Sequence, residues 1–187
     1  MDAHLGEAEL LAMLRSADIA VTRHAHPPLH TVAEAQALRS SLPGAHTKNL
    51  FLKSKRRDLL LICCLEDRMF DLRDLETPLG VGRLSFASAE RLAAHLGVTP
   101  GAVTPVAVVN DRNHAVRVIL DAELMRQPIL NVHPLQNSAT IAISPEGLRR
   151  FFDLTGHRPE LFDFGAIASG EGERDRDGSL ERGATPA

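Results

Sequence analysis

The sequence predicts a single mixed α/β domain, a β-sheet flanked by helices. Three observations carry this expectation. Apolar residues recur at helical spacing in segments that open on Thr31, Ser88 and Ser144, all good N-terminal caps. Elsewhere they alternate, or run unbroken as in Leu59 to Leu65, between stretches rich in Gly, Pro, Asn and Asp. The length, 187 residues, suits one domain with a sizeable core. That core must be mainly Leu, Ile, Val and Ala, because Trp and Tyr are absent and Phe occurs seven times.

Taken in order, Glu7 to Ala17 places Leu10, Leu11 and Leu14 on one helical face, and Ile19 to His24 alternates as a short strand. His24, His26 and His30 surround Pro27-Pro28, but two prolines and no neighbouring acidic or Cys ligand argue against a metal site. Thr31, with Glu34 in the capping-box position, opens a helix to about Ser41 that Pro43-Gly44 closes. Thr47 to Lys55 and Leu59 to Leu65 form a hairpin across a basic turn, with Leu50 and Leu52 inward against Phe51 and Lys53. Asp71 to Leu75 is one helical turn before Pro78, and Leu84 to Ala87 a short strand. Ser88 caps a helix to Leu96 that stops at Gly97. Val106 to Val109 reads as a buried strand, Asn110 to Asn113 as a turn, and Val116 to Leu120 as its partner. Asp121 to Met125 is a helical turn, and Ile129 to Val132 with Ser138 to Ile143 complete the sheet. A helix from Pro145 to Thr155 follows, with Leu148, Phe151 and Phe152 on its apolar side. From about Ala168 to the last residue the chain is too polar to pack and is expected to be a disordered tail. The domain is thus expected over 1–167 and the tail over 168–187.

Composition narrows the function classes. A net charge of -3 argues against a general DNA coat while allowing a local basic patch. Cys63 and Cys64, adjacent in an apolar run, read as buried strand residues of a reducing cytoplasm, and their spacing fits neither a zinc site nor a redox pair. The N-terminus lacks a signal pattern, and no apolar run approaches the roughly 18 residues of a membrane span. The expectation is a cytoplasmic protein with no cofactor and no DNA or membrane partner.

The stretch with most chemistry is Asn131 to Ile143. Pro134 ends or bends a strand at His133, and Asn137, Ser138 and Thr140 gather before Ala139, Ile141 and Ile143 alternate into the next one. From spacing alone this is either a hairpin whose polar groups satisfy their own backbone or a site. Lys48, at a strand mouth, reads by position as a solvated lysine. Gly101 to Pro105 is either a tight helix-to-strand connection or a loop that lets a ligand approach the backbone.

Together these segments resemble the YbaK and prolyl-tRNA-synthetase-associated editing domains, in their free-standing, ProX-type branch. The resemblance covers about Glu7 to Ile167. It rests on Thr47-Lys48-Asn49-Leu50-Phe51-Leu52, Asp71-Leu72-Arg73-Asp74-Leu75 and Leu84-Ser85-Phe86-Ala87. The Gly101 to Pro105 loop, and His133-Pro134-Leu135 with Asn137 and Thr140, complete it. It implies a mixed, strongly curved and partly barrel-like sheet flanked by helices, with a small pocket between Lys48, the glycine loop and the His133 turn. It also implies deacylation of tRNA(Pro) mischarged with alanine, helped by the ribose hydroxyl next to the ester. Lys48, Gly101 and His133 match positions at the reacting ester. Asn49, Ala102, Pro105, Ile129, Leu130, Asn137 and Thr140 are expected to bind substrate. Asn49 and Leu135, where the YbaK-like branch has Thr and Gly, mark the alanine-specific branch and put a cysteinyl substrate in doubt.

No Ser-His-Asp or Cys-His set stands at these positions, so no covalent intermediate is expected. Lys48 and the amides of Gly101 and Ala102 are candidates to stabilise the oxyanion, or Lys48 to hold the terminal phosphate or ribose. Selectivity against proline requires a pocket too small for the pyrrolidine ring. Lys53, Lys55, Arg56, Arg57 and Arg83 are either a solvated turn or a tRNA-binding surface. Prolyl-tRNA synthetase or an elongation factor is expected as a transient partner at most. Two competing functions are a non-catalytic tRNA- or synthetase-binding module of the same fold and a deacylase for another small group, Cys or Ser.

Overall fold

Local chemistry sets most element boundaries in the computed structural model, which describes residues 4–27 and 41–168. Helix α1 (Glu7–Ser16) starts where Glu9 accepts from the Gly6 amide, and it buries Leu10 and Leu14. Strand β1 (Val21–Ala25) follows. The helix expected from Thr31 lies, up to its last residue, outside the described residues. Strand β2 (Ala45–Ser54) begins after Gly44, whose φ of +108° and contact with Ile129, 2.9 Å from an added Cβ, admit only glycine. Strand β3 (Leu59–Leu65) returns from a turn held by one side chain: Ser54 donates to the Asp58 carboxylate at 2.6 Å and accepts from the Arg56 and Asp58 amides. Helix α2 (Leu72–Glu76) and strand β4 (Leu84–Phe86) come next. Helix α3 (Ala89–Leu96) runs from the Ser88 cap to a left-handed Gly97, as its sequence predicts. Strands β5 (Val116–Asp121), β6 (Leu130–Val132) and β7 (Ala139–Ile143) lead to α4 (Pro145–Thr155), capped by Ser144. Strand β8 (Glu160–Phe162) and helix α5 (Gly165–Ala168) close the described chain.

The sheet is mixed, in the order β1-β7-β6-β2-β3-β5-β8, with β4 also on β2. β2 belongs to both halves. Its first residues pair in parallel with β6, its middle pairs antiparallel with β3, and its last residues pair antiparallel with β4. β5 runs parallel to both β3 and β8. Both faces of β2 and β3 are covered. Phe51, Leu59, Leu61 and Cys63 join the main core with α1, α3 and α4, while Leu52, Leu60, Ile62 and Cys64 join a smaller one with Leu75, Leu79 and Phe164.

Two readings of the sequence are corrected here. Phe51 is buried on the face opposite Leu52, because β2 is an interior strand covered on both sides. Val106 to Val109 is not a strand: Pro105–Asn110 forms a 3-10 helix packed against α3 and α4. Pro105 pre-sets the helical φ at its first position, and four apolar residues carry no period that separates a buried strand from a buried turn. Val116 to Leu120 therefore finds its partners in β3 and β8.

Candidate active site

The site is built on a fork in the sheet. On one edge of β2, β6 pairs only as far as His46 and β4 joins only at Leu52. From Lys48 to Leu50 that edge carries no strand among the described residues. Residues paired in register project to the same face. Thr22, Ala142, Asn131 and His46 thus form one row across β1, β7, β6 and β2; two residues further along β1, β7 and β2, His24, Thr140 and Lys48 stand on the same side, and His133 follows directly after β6.

His133 is held by its Nδ1, which lies 3.1 Å from the Ala139 carbonyl. A carbonyl only accepts, so Nδ1 carries the proton and Nε2 presents a lone pair. Burial pushes this imidazole below its ordinary pKa, the Ala139 carbonyl works the other way, and nearby His26 and His46 depress it further. By the same logic His26 Nδ1 donates to the Pro27 carbonyl at 2.9 Å, and Thr140, buried, sits 3.0 Å from His26 Nε2. The loop between β6 and β7 is anchored from outside: Gln136 donates to Glu7, which also pairs with Arg23 at 2.7 Å, and Ser138 donates to Gln136 at 2.9 Å.

Lys48 shares the face of Leu50 and Leu52. Its ammonium donates to the Arg68 carbonyl and stands 5.1 Å from the centre of the Phe70 ring. The segment that receives it is clamped by Asp121, fully buried, which accepts from Arg68 Nε at 2.8 Å and from the Glu123 amide at 2.9 Å. Beside Lys48, Asn49 turns the other way. Thr47 gives its only hydroxyl proton to the Asn131 carbonyl at 3.2 Å, so Asn49 must offer Thr47 its NH2 group, at 3.1 Å. That leaves Asn49 Oδ1 buried without a partner, and Asn131 Oδ1 likewise, its NH2 donating to the Pro43 carbonyl at 3.0 Å. Buried acceptors without donors ask for an explanation, and here they lie beside an open strand edge.

Gly101, exposed at φ +88°, meets the tip of the His133 loop, with the Asn137 amide nitrogen 3.6 Å from where a Cβ would stand. Ala102 and Pro105 are buried behind it, and Thr104 keeps an unpartnered hydroxyl. Ile129 is on the face of Asn131, packed on Gly44, whereas Leu130 points into the main core and supports the site from behind. The cysteines offer no nucleophile: burial pushes the Cys64 thiol up to about 12, and that of Cys63 well above its ordinary value. Of the three histidines around the two prolines, His30 lies outside the described residues.

The sequence matches the family described as aminoacyl-tRNA editing domain over residues 26–151. The chain belongs to that family. Among curated relatives, prolyl-tRNA synthetase associated domain-containing protein 1 of Danio rerio is 39% identical over 158 residues, covering 83% of this chain and 86% of that protein. Prolyl-tRNA editing protein ProX of Acetoanaerobium sticklandii is 35% identical over 149 residues, covering 79% and 91%. Among solved structures, a candidate trans-editing enzyme for prolyl-tRNA synthetase superposes with a TM-score of 0.62 at 21% identity, covering 84% of this chain and 95% of that one, which shows the shared fold.

Within this editing domain the basic residues gather as well. Lys53, Lys55, Arg57 and Arg83 line one cleft of about 590 Å³, and Arg56 is in the same turn. His46, Asp121 and Arg91 escaped the sequence reading, and Thr47 and Asn131 stood in it only as members of longer stretches. Alternation from Lys48 and His133 would have found His46 and Asn131. Nothing local marks Asp121, whose partner Arg68 is 53 residues away. No helix among the described residues is long and apolar enough to cross a membrane.

Proposed function

We propose that this chain is a trans-editing deacylase that hydrolyses the ester of alanine mischarged on tRNA(Pro) and excludes proline by size. The observation that carries this reading is the fork: an unpaired stretch of β2 with the Lys48 ammonium on one face and the unpartnered Asn49 carboxamide oxygen on the other, and the neutral His133 imidazole just past the end of β6, in a chain of the editing-domain family.

An aminoacyl ester brings a carbonyl that becomes an oxyanion, an ammonium with three donors and a ribose hydroxyl. The ammonium suits Asn49 Oδ1, which lacks a donor. The oxyanion suits Lys48 or the amides at Gly101 and Ala102, where each well-placed donor is worth roughly 3 to 4 kcal/mol. His133 Nε2, kept as a lone pair, accepts a proton from the attacking water or from the vicinal ribose hydroxyl. Asn137, at the tip of the His133 loop against Gly101, and Thr140, beside His26, are the polar neighbours. Ile129, packed on Gly44 just before β6, and Leu130, in the main core, act only through the strand they anchor. Pro105 fixes the exit of the glycine loop. The tRNA body is held through Lys53, Lys55, Arg56, Arg57 and Arg83. A transient meeting with prolyl-tRNA synthetase or an elongation factor belongs to the same proposal.

Substitution at Lys48 tests the site. If the ammonium faces the oxyanion, Lys48→Ala lowers the rate constant at saturating tRNA by roughly a hundredfold or more. If it grips phosphate or ribose, affinity falls and its salt dependence flattens by about one charge. Lys48→Arg keeps the charge with a different donor geometry and falls between. Parental deacylation by Lys48→Ala at every tRNA concentration contradicts the assignment.

A further inference from the structure

Lys48 sits in a seat with two neutral walls. Its ammonium donates to the Arg68 carbonyl and stands 5.1 Å from the centre of the Phe70 ring. A carboxylate in either place would cancel the positive charge and compete with an oxyanion for it. A carbonyl dipole and the electron-rich face of a ring hold the ammonium and leave its charge intact. With Arg68 taking one of three N–H groups and the ring closing one side, the remaining donors are confined to what the seat leaves open.

The ring is itself held. Phe70, half-buried between β3 and α2, packs on Phe164 with ring centres 5.1 Å apart, and Phe164, 1% exposed, meets Phe162 edge to face at 4.8 Å. Phe162 is the last residue of β8 and pairs in register with Asp121, the carboxylate that clamps Arg68. The Arg68 guanidinium also lies 3.6 Å from where a Cβ on Gly165 would stand. One strand pair, β5 with β8, thus secures both walls: Asp121 fixes the carbonyl, and Phe162 and Phe164 fix the ring. The residues that back the ring lie beyond residues 26–151, the span that matches the editing-domain family.

We propose that Phe70, backed by Phe164, is a positioning residue that aims the Lys48 ammonium at the reacting ester. The role rests on the deacylase reading. A lysine carries its charge on a flexible four-carbon stem, so without the ring the ammonium spreads over orientations that do not meet the oxyanion. The ring acts only through Lys48, and so sets the rate constant and not the affinity for tRNA.

The test joins kinetics to a readout that needs no catalysis. In single-turnover deacylation of alanyl-tRNA(Pro), Phe70→Leu, which keeps apolar bulk, is expected to lower the rate constant at saturation about tenfold with half-saturation unchanged. Phe70→Tyr should restore it. Phe164→Leu should lower it in the same direction, and Phe70→Leu should cost nothing further in a Lys48→Ala background. The chain has three lysines, Lys48, Lys53 and Lys55, so 13C-lysine NMR resolves them, with Lys48→Arg giving the assignment. The Lys48 ε-methylene resonance should stand upfield of the other two through the ring current and rejoin them in Phe70→Leu. Melting temperature checks that each variant is folded. Parental kinetics for Phe70→Leu in a chain that deacylates, or a change confined to half-saturation, overturns the proposal. So does the same loss on top of Lys48→Ala, which would mark a merely structural role. Should the parent deacylate none of its charged tRNAs, the deacylase reading fails by itself, and the seat then stands or falls on whether Phe70→Leu moves the Lys48 resonance.

Discussion

His133 is the residue whose environment makes the sharpest statement about pH. Burial holds its folded pKa below the ordinary imidazole value of roughly 6.5, so the unfolded chain binds a proton that the folded chain refuses. Stability from this group is therefore fully present above about pH 6.5 and is lost as pH falls toward the folded pKa. His133→Asn should remove that share, so that its melting temperature falls less than the parent's between pH 7 and 5. Parallel curves would show that the imidazole is not protected as described. Asp111 acts in a lower window. Burial raises its pKa, but His157 and the amides of Val116 and Ala115 more than offset this and leave it low, so its contribution is lost only below about pH 4.

At the scale of elements, Asp121 at the end of β5 secures the segment after β3 that receives Lys48. Asp121→Ala strands Arg68 and the amides it served, and should destabilise the fold by about 3 to 5 kcal/mol in denaturant titration. Its deacylation rate at saturating tRNA should fall too, since Lys48 loses a fixed acceptor; an unchanged rate in the folded variant would separate Asp121 from the site. No sequence pattern announces such a clamp. What was legible is what local chemistry decides: Ser88 and Gly97 bound α3, Ser144 and Pro145 start α4, and Pro134 ends β6. Val106 to Val109 was not, because only packing against α3 and α4 chooses the 3-10 form. β8 was missed because Glu160 and Leu161 are exposed and three residues carry no alternation. Lys48, Gly101, His133, Asn137 and Thr140 are singled out by the family resemblance through their order along the chain, and the fold brings Gly101 to the tip of the His133 loop. The unpartnered oxygens of Asn49 and Asn131 depend on long-range bonds, from Thr47 to the Asn131 carbonyl and from Asn131 to the Pro43 carbonyl, and could only be seen folded.

The whole molecule divides its tasks between two ends of β2. The ester chemistry is proposed for the fork near Lys48, and the tRNA contact for the cationic cleft at Lys53. Residues 169–187, outside the described part of the chain, are polar enough that their deletion should leave melting temperature and deacylation nearly unchanged. A drop of several degrees would show that they dock. The central claim, hydrolysis of a small misacyl group with exclusion of proline, is tested most directly by single-turnover deacylation of tRNA(Pro) charged in turn with Ala, Ser, Cys and Pro. A sieve too small for the pyrrolidine ring predicts fast loss of alanine and protection of proline, by a factor of at least about a hundred. Equal rates for alanine and proline, or no deacylation of any of the four, would contradict it.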